Sequence, residues 1–94
     1  MAKAVMSWNI KAQDNSEYFE FVVQDLLPSL MKIGLRPIQA WFTMWGNGPQ
    51  IITMLESVDG DLDSLKEALQ SDEWRDIRER LMGHVKEFKQ RIVR

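Results

Sequence analysis

Apolar and polar residues alternate through residues 3–11, with Ala4, Met6, Trp8 and Ile10 on one face and Val5, Ser7, Asn9 and Lys11 on the other. A period of two is that of a half-buried strand. The period then lengthens: Phe19, Val22, Val23, Leu26, Leu30 and Ile33 recur at helical spacing and form one apolar stripe. Asp14-Asn15-Ser16 supplies short acceptors ahead of that stripe, and Glu17 stands three residues after Asp14, as a capping box requires. Pro28 lacks an amide hydrogen and crowds the preceding turn, so a bend is expected there. Gly34 is placed to end the helix in the left-handed conformation.

Residues 37–45 and 50–58 read as two strands around Gly46-Asn47-Gly48-Pro49, a hairpin signal. With four residues in the turn, Trp45 lies opposite Gln50, Thr43 opposite Ile52 and Trp41 opposite Met54. One face then carries Gln39, Trp41, Thr43, Trp45, Gln50, Ile52, Met54 and Glu56. The other carries Ile38, Ala40, Phe42, Met44, Ile51, Thr53, Leu55 and Ser57. From Asp61 the period is helical again, first as Leu62, Leu65 and Leu69, then, after a slip in phase, as Trp74, Ile77 and Leu81. Ser71, followed by Asp72 and Glu73, caps the second of these helices, and Gly83 closes it. Residues 86–93 are a last strand with Phe88 and Ile92 on one face. The order β-α-β-β-α-β is the split arrangement of a ferredoxin-like sandwich, an α+β fold with a four-stranded antiparallel sheet. A length of 94 residues makes it one domain, 1–94.

Helices on one side of such a sheet leave its other side bare. The smaller, more aliphatic face belongs under the helices, so Trp41, Trp45, Ile52 and Met54 are expected on the open face. An apolar patch of that kind marks a partner or ligand surface, and the expected partner is a second copy meeting sheet to sheet in a homodimer. The reverse assignment, with the tryptophans under the helices, follows if the turn length differs by one residue.

Composition narrows the chemistry. Apolar residues make up 45% and charged residues 28%, an ordinary folded profile. No apolar run approaches the roughly 20 residues of a membrane span, and the N-terminal residues lack a signal peptide's long apolar stretch, so a cytoplasmic location is expected. Cysteine is absent and His84 is the only histidine, which removes disulfides, thiol chemistry and a multi-histidine metal site within one chain. A net charge of −2 argues against nucleic acid as a partner. The cations of residues 75–94 are interleaved with Asp76, Glu79 and Glu87, as on a solvated surface. Asp59, Asp61 and Asp63 precede a helix, where capping is the commoner use, and their order does not match a calcium loop. No metal and no cofactor is expected.

Three stretches, "EFVVQDLLPSLMKIG" (20–34), "ITMLESVDGDLDSL" (52–65) and "ALQSDEWRDIRERL" (68–81), together resemble the dimeric α+β barrel superfamily and its NIPSNAP-like branch. The last contains Ser71-Asp72-Glu73-Trp74 where that family starts a helix with "DPEW". The resemblance spans nearly the whole chain and implies a dimeric α+β barrel. Members include cofactor-independent monooxygenases of aromatic polyketides, haem-degrading enzymes, and domains without an assigned activity. In the haem-degrading members an asparagine of the first strand works with a tryptophan and a histidine of the second helical region. Asn9 matches the first, but the other two positions fall at Ala68 and Arg78, so haem chemistry is not implied.

The candidate ligand-binding residues are Ser7, Asn9, Trp41, Trp45, Met54 and Glu56. Trp41 and Trp45 can stack a planar ring and Asn9 can donate to an enolate oxygen; the same side chains serve equally well as dimer core. Asn9 and His84 are the only candidates for catalysis, and His84, beside Gly83 at a helix end, also suits a purely electrostatic role there. Three readings remain open. The first is a homodimer that binds a small hydrophobic or aromatic molecule. The second is a cofactor-independent monooxygenase of an aromatic or polyketide-like substrate. The third is a structural interaction module whose barrel is filled by its own side chains.

Overall fold

A computed structural model describes residues 2–11, 15–42 and 50–93. Strand β1, Lys3–Ile10, alternates in burial at every residue, with Ala4, Met6, Trp8 and Ile10 buried as the period of two requires. The chain then enters α1 (Asn15–Phe21), one π-turn (Val22–Leu26) and α2 (Leu27–Lys32). The amide of Leu27 donates to the carbonyl of Val22, five residues back. Pro28, in the first turn of α2, cannot donate, and the widened turn just before it takes up the bend expected there. Winding more residues into a turn keeps residues four apart close to alignment. Tyr18, Val22, Leu26 and Leu30 therefore share the inner side, while Phe19 (50% exposed) and Val23 (66% exposed), both expected on the stripe, turn outward. Gly34 has φ +83 and closes this arm in the left-handed conformation, its carbonyl accepting from the Val58 amide at 2.8 Å.

Strands β2 (Leu35–Phe42), β3 (Ile51–Ser57) and β4 (Val85–Val93) complete an antiparallel sheet ordered β2-β3-β1-β4. This is the ferredoxin-like arrangement, with β2 and β4 at the edges. Trp41 pairs with Ile52 and Gln39 with Met54, two residues away from the expected Trp41–Met54 pairing. A two-residue shift returns each side chain to the same face, so Trp41, Ile52 and Met54 stay together on the open side. One residue departs from its expected face. Pairing slips between Pro37 and Gln39, leaving Ile38 as the extra residue of a bulge, and it is exposed rather than under the helices. Proline has no amide to give a ladder, which an edge strand tolerates. Residues 43–49, with the expected turn, Thr43, Met44 and Trp45, lie outside the described residues, as does the Asp14 cap.

Helix α3, Leu62–Leu69, is capped by Asp61, which accepts from the Ser64 amide at 2.6 Å. Helix α4, Asp72–Met82, is capped by Ser71, which accepts from the Trp74 amide at 3.2 Å. The break between them is the phase slip in the sequence. Leu65 of α3, Trp74, Ile77 and Leu81 of α4, and Tyr18, Leu26 and Leu30 of the first helical arm are buried against the inner face of the sheet. A second bulge, where Glu87 takes φ 57, separates the pairs Ser7–Lys89 and Asn9–Lys86. Among the described residues, no helix is long and apolar enough to cross a membrane.

Candidate functional site

Among the described residues, the packing of sheet against helices leaves an unfilled space. Between them lies a cavity of about 250 Å³. Its sheet side is Met6 and Trp8 of β1, Ile51, Thr53 and Leu55 of β3, and Pro37 and Ala40 of β2; its helix side is Tyr18, Val22, Leu26, Leu27, Leu30, Trp74 and Leu81. Ala40, on an edge strand, is also exposed to solvent. The bulge at Ile38 is what puts both Pro37 and Ala40 on this side, and the π-turn supplies Val22 and Leu26. π-turns inside α-helices are frequent at functional sites.

Among the described residues, no charged side chain lines the cavity. The polar side chains among the described lining residues are Tyr18, Thr53, Trp8 and Trp74. The Trp8 indole donates through Nε1 to the Tyr18 hydroxyl at 2.9 Å. Trp8 is held flat by stacking on Phe88, with ring centroids 5.8 Å apart. Burial pushes the Tyr18 phenol above its ordinary pKa of 10.0, and the bond from Trp8 offsets only part of that rise. The phenol is therefore protonated at neutral pH and keeps a hydrogen to donate. The hydroxyl of Thr53 is engaged with the carbonyl of Gln39 at 3.2 Å. Trp74, 1% exposed, lines the cavity with its ring, while its Nε1 is buried with no hydrogen-bond partner among the described residues.

The residues singled out from the sequence lie elsewhere. Ser7, Asn9, Trp41, Met54 and Glu56 come together on the open face of the sheet. Trp41 is 43% exposed there. Ser7 sits in a shallow depression of about 580 Å³ with Val5, Ile52, Lys89 and Arg91. Glu56 is buried and accepts from Arg36 through Nε at 2.8 Å and Nη2 at 2.6 Å. The amide of Asn9 is engaged within the protein: its Oδ1 accepts from the Gln50 backbone at 2.8 Å and its Nδ2 donates to the Glu87 carboxylate. Gln50 in turn accepts from the Ile10 amide at 2.7 Å, so the two side chains tie β1 to the chain entering β3. His84 is not part of this set, because its ring stacks on Phe21 at 4.9 Å. Trp45 lies outside the described residues. Among those residues, no group of three or more His, Asp or Glu is arranged to hold a metal ion.

Sequence reasoning did not single out Tyr18, and it used Trp74 only as part of a helical face and of the family-like helix start. Tyr18 stands four residues before Val22 and eight before Leu26, a row that aligns only once the π-turn is known.

No protein-family model and no curated protein matches this sequence. Solved structures do match, over the full length. An uncharacterized NIPSNAP domain protein from Burkholderia xenovorans superposes with a TM-score of 0.72 at 11% identity, covering 100% of this chain and 93% of that one. A NIPSNAP family protein from Agrobacterium tumefaciens gives 0.69 at 19% identity, covering 99% and 90%. A Deinococcus radiodurans protein of antibiotic biosynthesis monooxygenase type gives 0.72 at 10% identity, covering 100% and 91%. The chain has the fold of these NIPSNAP and monooxygenase-like proteins, in line with the resemblance carried by residues 20–34, 52–65 and 68–81.

Proposed function

We propose that this chain binds a small neutral molecule in the cavity between its sheet and its helices, and that it does so as a homodimer. One observation carries the binding reading: an apolar cavity of about 250 Å³ in a domain of 94 residues. Protein interiors are close-packed. Lining atoms that face unfilled space lack packing partners on that side, and an occupant supplies them. The volume is near the lower end of ligand clefts, about 300 Å³, and exceeds the ~150 Å³ that suffices for benzene.

Binding is favoured over catalysis by the lining. Cofactor-free oxygenation needs a group that takes a proton from the substrate. Among the described lining residues Tyr18 is the only titratable side chain, and its raised pKa keeps it protonated at neutral pH. The dimer reading rests on the open face, where the exposed Trp41 stands beside the depression at Val5, Ser7 and Ile52. A projection and a recess on one surface fit each other across a two-fold axis.

The binding reading is tested by titrating the protein with benzene, toluene and indole while following its melting temperature. A ligand at a hundred times its Kd adds about 2.7 kcal/mol. Leu55→Phe, which grows a cavity-lining side chain into the space, should remove the rise. A melting temperature unmoved by every compound would contradict the proposal. Light scattering at micromolar concentration tests the dimer, which requires twice the 11.0 kDa of one chain.

A further inference from the structure

The walls of the cavity are not evenly covered. Along its sheet side, Ala40 of β2 pairs with Thr53 of β3, and Thr53 pairs with Met6 of β1. Across that row burial deepens strand by strand: Ala40 is exposed, Thr53 half-buried and Met6 buried. Pro37, also on β2, is exposed, while Trp8, on β1, is buried. The helix side follows the same gradient. Val22 and Leu27, at the π-turn and just after it, are half-buried, whereas Trp74 and Leu81 of α4 are buried. Helix α2 packs on β2 and α4 on β4, so both walls lose cover towards the same edge of the sheet. Among the described residues, the cavity therefore opens at β2, between Pro37 and Ala40 and the π-turn, and closes against Met6, Trp8 and Trp74. Neighbouring strands lie ~4.8 Å apart, which makes the way from Ala40 to Met6 about 10 Å.

Resting on the binding reading above, we infer that the cavity holds the apolar end of a molecule longer than itself, whose polar end stays in water at the edge of β2. The space equals roughly eight liquid waters at ~30 Å³ each. A longer molecule has to leave it, and the β2 edge is where the walls part. The closed end offers no charged side chain among the described residues, so a polar group pushed there loses its water with little return. At the open end the same group keeps its water while its apolar stem covers the lining. Ala40, the smallest of the described lining side chains, sets the width of the exit.

The test measures the affinities of benzene, benzyl alcohol, 3-phenylpropanol and 5-phenylpentanol for the wild-type chain and for Ala40→Phe. In the wild type each added methylene should tighten binding about fourfold until the hydroxyl reaches water, after which affinity levels off. Ala40→Phe narrows the exit on an edge strand that tolerates an aromatic residue. It should weaken 5-phenylpentanol at least tenfold and leave benzene within about twofold. Affinity that falls with chain length in the wild type would mean a closed cavity and overturn the inference while benzene binding stands, a result that does not depend on the variant. Equal binding of 5-phenylpentanol by variant and wild type would also overturn it, because the exit would then not be at Ala40. If neither benzene nor any of the alcohols binds the wild type, the binding reading falls and this inference with it.

Discussion

Tyr18→Phe deletes one oxygen and tests the polar link that shapes the cavity wall. In the native protein that oxygen accepts the Trp8 indole proton at 2.9 Å, and Trp8 is 3% exposed. The variant leaves the indole donor buried and unpaired, a cost of roughly 1–3 kcal/mol. Removing the phenol also ends the cost of keeping it from water, so a net loss of about 1–2 kcal/mol is expected at pH 7. For a domain of this size that lowers the melting temperature by roughly 4–16 °C. The alkaline limb supplies an independent check. Tyr18 is the only tyrosine, and its pKa is raised in the folded protein. The unfolded chain therefore loses the phenol proton first. The phenol's contribution to stability is whole below about pH 10 and declines as pH rises from there towards the folded-state value, by at most about 1.4 kcal/mol per pH unit. The phenylalanine variant has no such loss, so the gap between the two proteins should narrow above pH 10. Urea unfolding of both, from pH 7 to 11, measures this directly. Equal stability at pH 7, or curves that run parallel through pH 11, would refute the reasoning.

Asn9→Leu removes the clamp between β1 and Gln50 and should lower stability by about 1–3 kcal/mol, while leaving the affinity of the cavity for benzene within twofold; a loss of affinity without loss of stability would return Asn9 to the binding site. Gly34→Ala meets no steric clash, since the nearest side-chain atom would be Val58 Cγ2 at 3.8 Å. It should nonetheless cost about 1 kcal/mol or more because φ is +83, which chemical denaturation will show. Trp41→Glu places a charge on the open face and should shift the protein to monomer by light scattering, and a dimer of unchanged melting temperature would show that this face is not the contact.

Much of the fold was legible in the sequence because its patterns are local and redundant. Ala4, Met6, Trp8 and Ile10 declare one face of β1 without help from any other element. Ser71 and Asp61 cap their helices with side chains three residues from the amides they serve. The faces of β2 and β3 survived a misplaced register because the error was an even number. What escaped was long-range or depended on an inserted residue. Ile38 leaves its face through a bulge that no alternation announces. The π-turn before Pro28 moved Phe19 and Val23 outward and brought Tyr18 inward, since a proline tells where a helix must adjust but not how. The cavity was not legible in the sequence for a related reason. Aromatic side chains on an open sheet face stand out in a sequence, whereas a cavity is a deficit of packing among side chains from seven elements.

The central claim is that ligand enters between the sheet and the helices of one chain, not between the sheets of two. Indole N–H resonances distinguish these places, because Trp8 and Trp74 line the cavity while Trp41 lies on the open face. A proton–nitrogen correlation spectrum of the labelled protein, recorded during a benzene titration and assigned with single tryptophan-to-phenylalanine variants, is the direct measurement. Shifts at Trp8 and Trp74 that saturate together while Trp41 stays still are the predicted result. Movement of Trp41 with Trp8 and Trp74 unchanged would contradict the account.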